Sequence, residues 1–282
     1  AQFAEYLKRG SYYRPLVQSI LKKNNIPTYF YYLALIESGF KTNARSNRAC
    51  VGTWQFGAST GRRYGLRITN QVDERMDPIR STIAAAKYIT DLRNVFNSWY
   101  LALAGYNAGE GRIMNAIMKG GTRDFWELAH RGILPKETRQ YIPKFIAAVL
   151  IGTHPEQYGM SDASVAPMPA IVSVPVPSPL PLSSIATATG LSIDEIKTLN
   201  PGLLHNATPG FSSTYRIWLP QSASEKFASL ALLKRSHGHH ETLATADDDT
   251  SNYRVRKGDT LKSVAHRVGM RVKDLRALNG LT

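Results

Sequence analysis

The chain has a single cysteine, no long apolar run and few acidic residues. One cysteine, Cys50, rules out a disulfide within the 282 residues, and no apolar run approaches the ~20 residues that a membrane-spanning helix needs. Only 21 Asp and Glu stand against 35 Lys and Arg, which leaves a net charge of +14. A disulfide scaffold and a helical membrane protein are therefore excluded, and the charge predicts a polyanionic partner.

The positive charge is concentrated at the two ends of the chain. Residues 1–160 hold 22 basic and 11 acidic residues (+11), residues 161–251 hold 5 and 8 (−3), and residues 252–282 hold 8 and 2 (+6). Nucleic acid fits such a charge, and so does the bacterial sacculus, whose stem peptides carry many carboxylates. Charge does not choose between them, although no nucleic-acid-binding motif is recognisable.

Up to about residue 150 the apolar pattern is helical. It predicts helices at 11–24, 28–36, 80–96 and 138–151. The second is apolar almost all round, as expected of a buried core helix, and Asp77-Pro78 supplies a cap for the third. Because strand-like alternation is missing here, we predict a mainly α domain.

A proline-rich linker and an internal repeat follow the helical part. Six prolines lie between Gly159 and Pro181. Beyond them, nine positions from Leu182 to Asn200 recur without a gap 79 residues later, and each repeat predicts a small α+β module of βααβ form. The predicted organisation is a helical domain (1–158), a linker (159–170), a first small module (171–220), a helix and polar linker (221–251) and a second small module (252–282).

The segment between the repeats predicts one more helix, at residues 223–235. Three histidines follow in His237-Gly238-His239-His240, and histidine side chains can bind metal ions. No cysteine and no regular ligand spacing supports a closed site, so we interpret them as part of a polar tether.

One carboxylate, Glu37, lies at the C-terminal end of the predicted core helix. Burial against Leu33, Ile36 and Phe40 disfavours its charged form, and the partial negative charge of the helix end does the same. A carboxylic acid with a raised pKa is the group that protonates a glycosidic oxygen. Most glutamates at helix ends are simply exposed, so this signal alone does not decide the function.

Three further clusters carry the side chains that sugar sites use. Flat rings stack on pyranose faces, and amides and hydroxyls bond N-acetyl groups and ring hydroxyls. The clusters are residues 52–66, which follow Ser46, residues 104–111 and residues 137–142. The acids at 73, 74 and 77 flank an arginine-rich stretch, where we expect ion pairs or helix capping, so Glu37 is the single well-placed acid.

In this order, the four clusters resemble the goose-type lysozyme fold of the soluble lytic transglycosylases. With the repeats, the chain is most similar over nearly its whole length to the membrane-bound lytic murein transglycosylase D group. The resemblance implies a mainly α, lysozyme-like catalytic domain followed by LysM modules, with Glu37 as the acid and base. It also implies a set of substrate-binding side chains, namely Ser46, Gln55, Tyr106, Asn107, Tyr141 and Glu137.

The sequence departs from that family directly after the glutamine. The family continues with a bulky residue and then proline, whereas here Gln55 is followed by Phe56, Gly57 and Ala58. Two small residues would widen the pocket beside the acid, so these three positions are candidate specificity residues. Cys50 stands where alanine is common, and we interpret it as a small buried hydrophobe rather than a nucleophile.

The repeats resemble LysM modules, which bind glycans containing N-acetylglucosamine. The second module opens typically with Tyr253 to Leu261 but stops at Thr282, before the family's closing strand, so we interpret it as incomplete. The first has Pro179-Leu180-Pro181 in place of the family's Gly-Asp-Thr turn, and we interpret it as degenerate.

The resemblance implies cleavage of the β-1,4 bond between N-acetylmuramic acid and N-acetylglucosamine, with 1,6-anhydro products and Glu37 as sole acid and base. It implies peptidoglycan strands as the partner, no nucleic acid, no metal or organic cofactor, and a monomer. Ala1-Gln2-Phe3 has neither the basic nor the apolar region of a signal peptide. We therefore expect a periplasmic or secreted protein whose signal peptide has been removed.

Two alternatives stay open at this point. The small residues Gly57 and Ala58 are compatible with a lysozyme-type hydrolase of altered specificity, acting on modified or deacetylated glycan. The LysM modules and the basic surface are compatible with an inactive wall-binding protein, although the intact motif residues argue against it. A hydrolytic product is one water heavier than an anhydro product, so the mass of the product distinguishes the hydrolase from a lytic transglycosylase.

Overall fold

The structure is a computed structural model that describes residues 2–160, 167–236, 255, 259–267, 272 and 275–276. The chain forms two compact units. The first comprises Ala1–Ile68 and Glu74–Met168, and the second comprises Thr69–Asp73 and Pro169–Thr282. Within the described part of the chain, no helix is both long and apolar enough to cross a membrane.

The first unit is helical in its described residues, as the apolar periodicity predicted. Its α-helices are α1 (Gln2–Lys23), α2 (Tyr31–Ser38), α3 (Ala58–Arg63), α4 (Pro78–Phe96), α5 (Trp99–Ala108), α6 (Glu110–Gly120), α7 (Phe125–His130) and α8 (Lys136–Thr153). Single 3-10 turns lie at Thr28–Phe30, Glu74–Met76 and Pro155–Tyr158.

The helix α2 lies at the centre of the first unit. All five residues from Tyr31 to Leu35 are at most 1% exposed, so the helix is covered on every side. This confirms the prediction from its all-round apolar sequence. The predicted single helix from residue 28 is instead a 3-10 turn followed by α2.

The start of α4 confirms the predicted roles of the acids beside the arginine-rich stretch. The Asp77 side chain caps the helix by accepting hydrogen bonds from the amides of Ile79 and Arg80, at 2.9 and 2.8 Å. The Arg80 guanidinium pairs with Asp77 at 2.5 Å and with Glu74 at 3.4 Å. These carboxylates are therefore committed to structure.

Four short helices, α3 and α5–α7, were absent from the sequence-based prediction. The six residues of α3 include a glycine and have no apolar period, so the sequence carried no helical signal there. The α5 helix is apolar on most sides and capped by Ser98, whose Oγ accepts from the Leu101 amide. The apolar period of α3 and α5 is weak, so packing decides these helices. In α6, by contrast, the buried residues Ile113, Ala116 and Ile117 recur at helical spacing, a signal that the sequence analysis missed.

The second unit contains the predicted βααβ module. Strands β1 (Ile171–Pro177) and β2 (Thr214–Pro220) pair antiparallel, with Ile171 opposite Pro220 and Pro177 opposite Thr214. Between them lie α9 (Leu182–Thr189) and α10 (Ile193–Leu199), and α11 (Gln221–Ser236) follows β2. Helix α10 is capped by a reciprocal pair, Ser192 and Glu195.

A short segment from the middle of the sequence completes the core of this unit. Val72 is fully buried among the residues of β1, β2, α9 and α10. Its neighbours bond to the loop after α10, since Asp73 N donates to Gly202 O (2.9 Å) and Leu204 N donates to Gln71 O (3.0 Å). No sequence pattern had indicated that residues 69–73 belong to this unit.

Val72→Ala should therefore destabilise the second unit by ~2 kcal/mol, because it leaves a cavity in a closed core. Chemical unfolding and hydrogen exchange of the Leu204 amide measure this effect. Leu204→Ala, at a side chain that is 39% exposed in the same unit, is the control and should cost much less. Equal stability of Val72→Ala and the wild type would contradict the assignment of this segment.

Most of the second repeat lies outside the described residues, as do the histidine cluster and the end of the chain. Within the repeat, α12 (Leu261–Arg267) is described, and Val264 and Ala265 on it are buried. The interpretation of this module as incomplete therefore stays a prediction.

Candidate active site

Glu37 occupies the last turn of α2, and a glycine fixes where that helix stops. Gly39 has a φ of +58° and its amide donates to the Leu35 carbonyl at 2.9 Å. A Cβ on Gly39 would lie 2.4 Å from the Tyr6 ring. The left-handed conformation and the ring contact both require glycine here. Glu37 is thereby held two residues before a sharp change of chain direction.

The environment of Glu37 favours its protonated form. Burial raises the pKa of Glu37 to about 7 from an ordinary value of 4.5. The Tyr141 hydroxyl and the charge of Lys144 oppose that rise in pKa, and the charge of Glu137 adds to it. A carboxyl group with a pKa near 7 is populated in both protonation states at neutral pH, which suits it to act first as acid and then as base.

One buried tyrosine, Tyr141, and one part-buried tyrosine, Tyr106, act on this carboxyl group. The Tyr141 hydroxyl, on α8, donates to Oε1 of Glu37, and the Tyr106 hydroxyl, on α5, donates to the Trp54 carbonyl at 2.7 Å. Burial raises the pKa of both tyrosines well above the ordinary value, and the charge of Glu37 raises each further. Both therefore remain hydrogen-bond donors, and the structure brings them together with Glu37.

Ser46 lies in an exposed loop and organises its own turn. Its Oγ accepts hydrogen bonds from the amides of Arg48 (3.3 Å) and Cys50 (3.1 Å). The loop closes further through the Ser46 amide, which donates to the Cys50 carbonyl at 3.0 Å. Accepting these bonds leaves the hydroxyl proton of Ser46 available for a ligand.

Gln55 is held in an unusual backbone conformation. Its φ is +50°, a region that non-glycine residues seldom adopt and that often marks functional sites. Its Nε2 donates to the carbonyls of Gly52 (2.8 Å) and Ala44 (3.4 Å). The side-chain nitrogen therefore stabilises the turn, and the amide oxygen accepts no hydrogen bond from another described residue.

Asn107 and Glu137 are each tied to a partner from a distant part of the sequence. The Oδ1 of Asn107 accepts a bond from the buried Thr138 hydroxyl at 3.0 Å. Glu137 forms an exposed ion pair with Arg48 at 2.9 Å, between α8 and the Ser46 loop. Such an exposed pair adds little stability, so it links the Ser46 loop to α8 only weakly.

The three specificity candidates differ in their surroundings. Phe56 is 2% exposed and packs near the rings of Tyr88 and Tyr106. It is therefore a core residue that packs behind Tyr106. Gly57 has an ordinary φ of −68°, and a Cβ added there would meet no atom within 4 Å. Gly57 and Ala58 are both part-exposed. A larger side chain at 57 is therefore sterically permitted.

Four side chains near the acid were missed by the sequence analysis. Ser38 donates to the Thr53 carbonyl at 2.8 Å and so ties the end of α2 to the turn of Gln55. The others are Arg48, Thr138 and Lys144. Thr138 and Lys144 lie three residues before and after Tyr141, and that helical spacing was the available signal.

The arrangement provides one acid rather than a pair. The other carboxylate whose charge acts on Glu37 is Glu137, which is exposed and paired with Arg48. Glycosidases that use two carboxylates place both beside the scissile bond. Within the described part of the chain, no group of three or more His, Cys, Asp or Glu residues is arranged to hold a metal ion.

Comparison with known families gives three matches along the chain. Residues 15–129 match the model of the transglycosylase SLT domain. Residues 170–235 match the LysM-like domain of lytic transglycosylase MltD, and residues 253–282 match the LysM domain.

Individual relatives are consistent with these matches. The membrane-bound lytic murein transglycosylase D of Escherichia coli K12 is 34% identical over 99% of this chain, which spans 65% of that relative's length. The peptidoglycan transglycosylase gp16 of Escherichia phage T7 is 34% identical over 36% of this chain and 8% of its own.

Solved structures of lower identity are also similar. The soluble lytic transglycosylase Slt70 of Escherichia coli has a TM-score of 0.44 and 22% identity, over 54% of this chain and 25% of its own. Slt of Pseudomonas aeruginosa has a TM-score of 0.43 and 23% identity, over 51% of this chain and 24% of its own. By these matches the chain combines a transglycosylase SLT domain with two LysM-type domains, and it is similar over 99% of its own length to the Escherichia coli relative.

Proposed function

We propose that the chain cleaves the β-1,4 bond between N-acetylmuramic acid and N-acetylglucosamine in peptidoglycan by lytic transglycosylation. The observation that carries the proposal is the single carboxyl group of Glu37, whose pKa is raised to about 7 and which accepts a bond from Tyr141. The names of the related proteins, a murein and a peptidoglycan transglycosylase, support the same reaction class.

The chemistry divides into two proton transfers on one residue. Protonated Glu37 gives its proton to the glycosidic oxygen as the bond to C1 of the muramoyl residue breaks. The substrate's 2-acetamido oxygen stabilises the cation at C1. Glu37, now a carboxylate, takes the proton of the muramoyl C6 hydroxyl as O6 bonds to C1. A 1,6-anhydro ring forms, no water is consumed, and Glu37 is protonated again.

The remaining site residues position the glycan for these steps. Tyr141 donates to Glu37 and favours its charged form, which limits the rise in pKa so that the residue can act in both roles. Ser46, Gln55, Tyr106, Asn107 and Glu137 are proposed to bind the strand, through the hydroxyl proton of Ser46, the amide oxygen of Gln55 and the amide nitrogen of Asn107. Removing polar contacts to a buried ligand group is costly.

The rest of the chain fits a wall-directed protein. Its net charge of +14 suits an anionic sacculus, and we propose that the LysM domain at 253–282 binds the same polymer. A periplasmic location and action as a monomer complete the proposal, since one copy of the chain supplies every group that the chemistry uses.

Digestion of purified sacculi, followed by mass spectrometry of the released fragments, tests the function. Fragments with anhydro ends support transglycosylation. Fragments one water heavier would replace it with the hydrolase alternative, and the absence of any fragment would leave the wall-binding alternative.

The open space at Gly57 leads to a prediction about specificity. Gly57→Ile should raise the preference for native over chemically deacetylated sacculi by ~4-fold, because a buried contact with the acetyl methyl is worth ~0.8 kcal/mol. Rates on both substrates give this ratio. Ser59→Ile, at an exposed position on α3, is the matched control. An unchanged ratio in Gly57→Ile would remove Gly57 from the specificity residues.

A further inference from the structure

The buried threonine at the start of α8 has no assigned role, and its hydroxyl group is committed to a single partner. Thr138 is 1% exposed, and its Oγ1 donates to Oδ1 of Asn107 at 3.0 Å, across 31 residues of sequence. Threonine in a helix ordinarily returns its hydroxyl proton to the backbone carbonyl one turn earlier. Here the proton joins α8 to α5 instead.

We infer that Thr138 is a positioning residue that sets the orientation of the Asn107 amide, so that its nitrogen faces the substrate. The inference rests on the proposed function. An asparagine amide has an acceptor end and a donor end that differ little in shape, so only its hydrogen bonds decide which end points outward. A threonine hydroxyl can also accept a bond, but among the described residues the Thr138 hydroxyl has no acceptor other than Asn107. An amide nitrogen facing it would leave the buried hydroxyl proton unpaired, which is costly. The Thr138 bond therefore holds the oxygen inward.

The side-chain nitrogen of Asn107 is free to donate hydrogen bonds to a ligand. Among the described residues, Nδ2 of Asn107 has no hydrogen-bond acceptor, and it is not among the side-chain nitrogens closed off from solvent. Its two N–H groups are therefore open to a carbonyl oxygen of the glycan or its stem. With the amide turned round, an oxygen would face that carbonyl, and the two acceptors would repel each other.

Thr138 shares a helix face with the tyrosine that bonds the acid. Thr138 and Tyr141 are three residues apart on α8, so both project toward the same side. One donates to Asn107 and the other to Glu37. A single helix face thus orders a binding group and the acid together, and a strand held by Asn107 is placed relative to Glu37 without a direct contact between Thr138 and the substrate.

Measurements of KM and kcat for the cleavage of soluble glycan fragments into anhydro products test this role. Thr138→Val removes the donor with little change of shape and should raise KM by ~5–10-fold while kcat changes little, as for a lost binding contact. Thr138→Ser should restore KM to within ~2-fold. In an Asn107→Ala background, Thr138→Val should have no further effect on KM.

A purely structural role would give a different pattern. Thr189→Val, which removes another buried hydroxyl bonded to a backbone carbonyl in the second unit, controls for the substitution itself. An unchanged KM in Thr138→Val, or the same KM increase with and without Asn107, would overturn the inference. Failure of the proposed function would appear separately, as a wild-type protein that releases no anhydro fragments.

Discussion

Glu37→Gln is expected to lower the rate of glycan cleavage by at least ~10²–10⁴-fold, since it removes the only acid of the mechanism. Glutamine has nearly the same shape and can still accept the bond from the Tyr141 hydroxyl. The loss should therefore fall on the chemical step, leaving folding and binding to sacculi intact. Release of soluble fragments and a sacculus pull-down measure the two properties.

Glu127→Gln supplies the matched control for that experiment. Glu127 is an exposed glutamate of the same unit, paired with Arg131 at 3.2 Å, and its substitution should leave the rate unchanged. Near wild-type turnover by Glu37→Gln would contradict the assignment of Glu37 as the general acid. Loss of both turnover and sacculus binding would instead indicate that the variant had misfolded.

The same substitution should stabilise the protein at high pH. The pKa of Glu37 is about 7 in the folded chain against an ordinary 4.5, so the folded state holds the proton more tightly than the unfolded state. The stability that this provides is complete below about pH 4.5 and is lost as the pH rises through about 7. The difference in pKa corresponds to at most ~3 kcal/mol.

Glutamine does not titrate, so Glu37→Gln escapes that loss. Relative to that of the wild type, its free energy of unfolding should be larger at pH 8 than at pH 4 by up to ~3 kcal/mol. Chemical unfolding of both proteins at both pH values measures this. If the difference between the two proteins were the same at pH 4 and pH 8, the pKa of Glu37 would not be raised in the folded protein.

Much of the fold was accessible from local patterns. The apolar run of α2 and the Asp77 cap of α4 are each encoded within a few residues, and each was predicted correctly. The repeat with its 79-residue offset correctly indicated a βααβ module. Such features depend on backbone hydrogen bonding and on one buried face, which a short window of sequence contains.

Other features have no local signal. The short helix α3 and the burial of Val72 in the second unit depend on residues far away in the chain. A valine in a polar turn looks the same in sequence whether it is exposed or fully buried. Only the loop that follows α10, more than 120 residues later, decides which it is.

The site divides in the same way. The sequence by itself determined that one glutamate ends an apolar helix and that amide and aromatic clusters follow it in an order typical of the family. The tertiary structure decided the state of those groups, because desolvation and hydrogen bonding come from neighbours that folding supplies. Tyr141, which bonds Glu37, lies 104 residues away, and Thr138, which bonds Asn107, lies 31 residues away. The pKa near 7 follows from burial by such distant neighbours, and the outward amide nitrogen follows from the Thr138 bond. Neither can be derived from the residues of one segment.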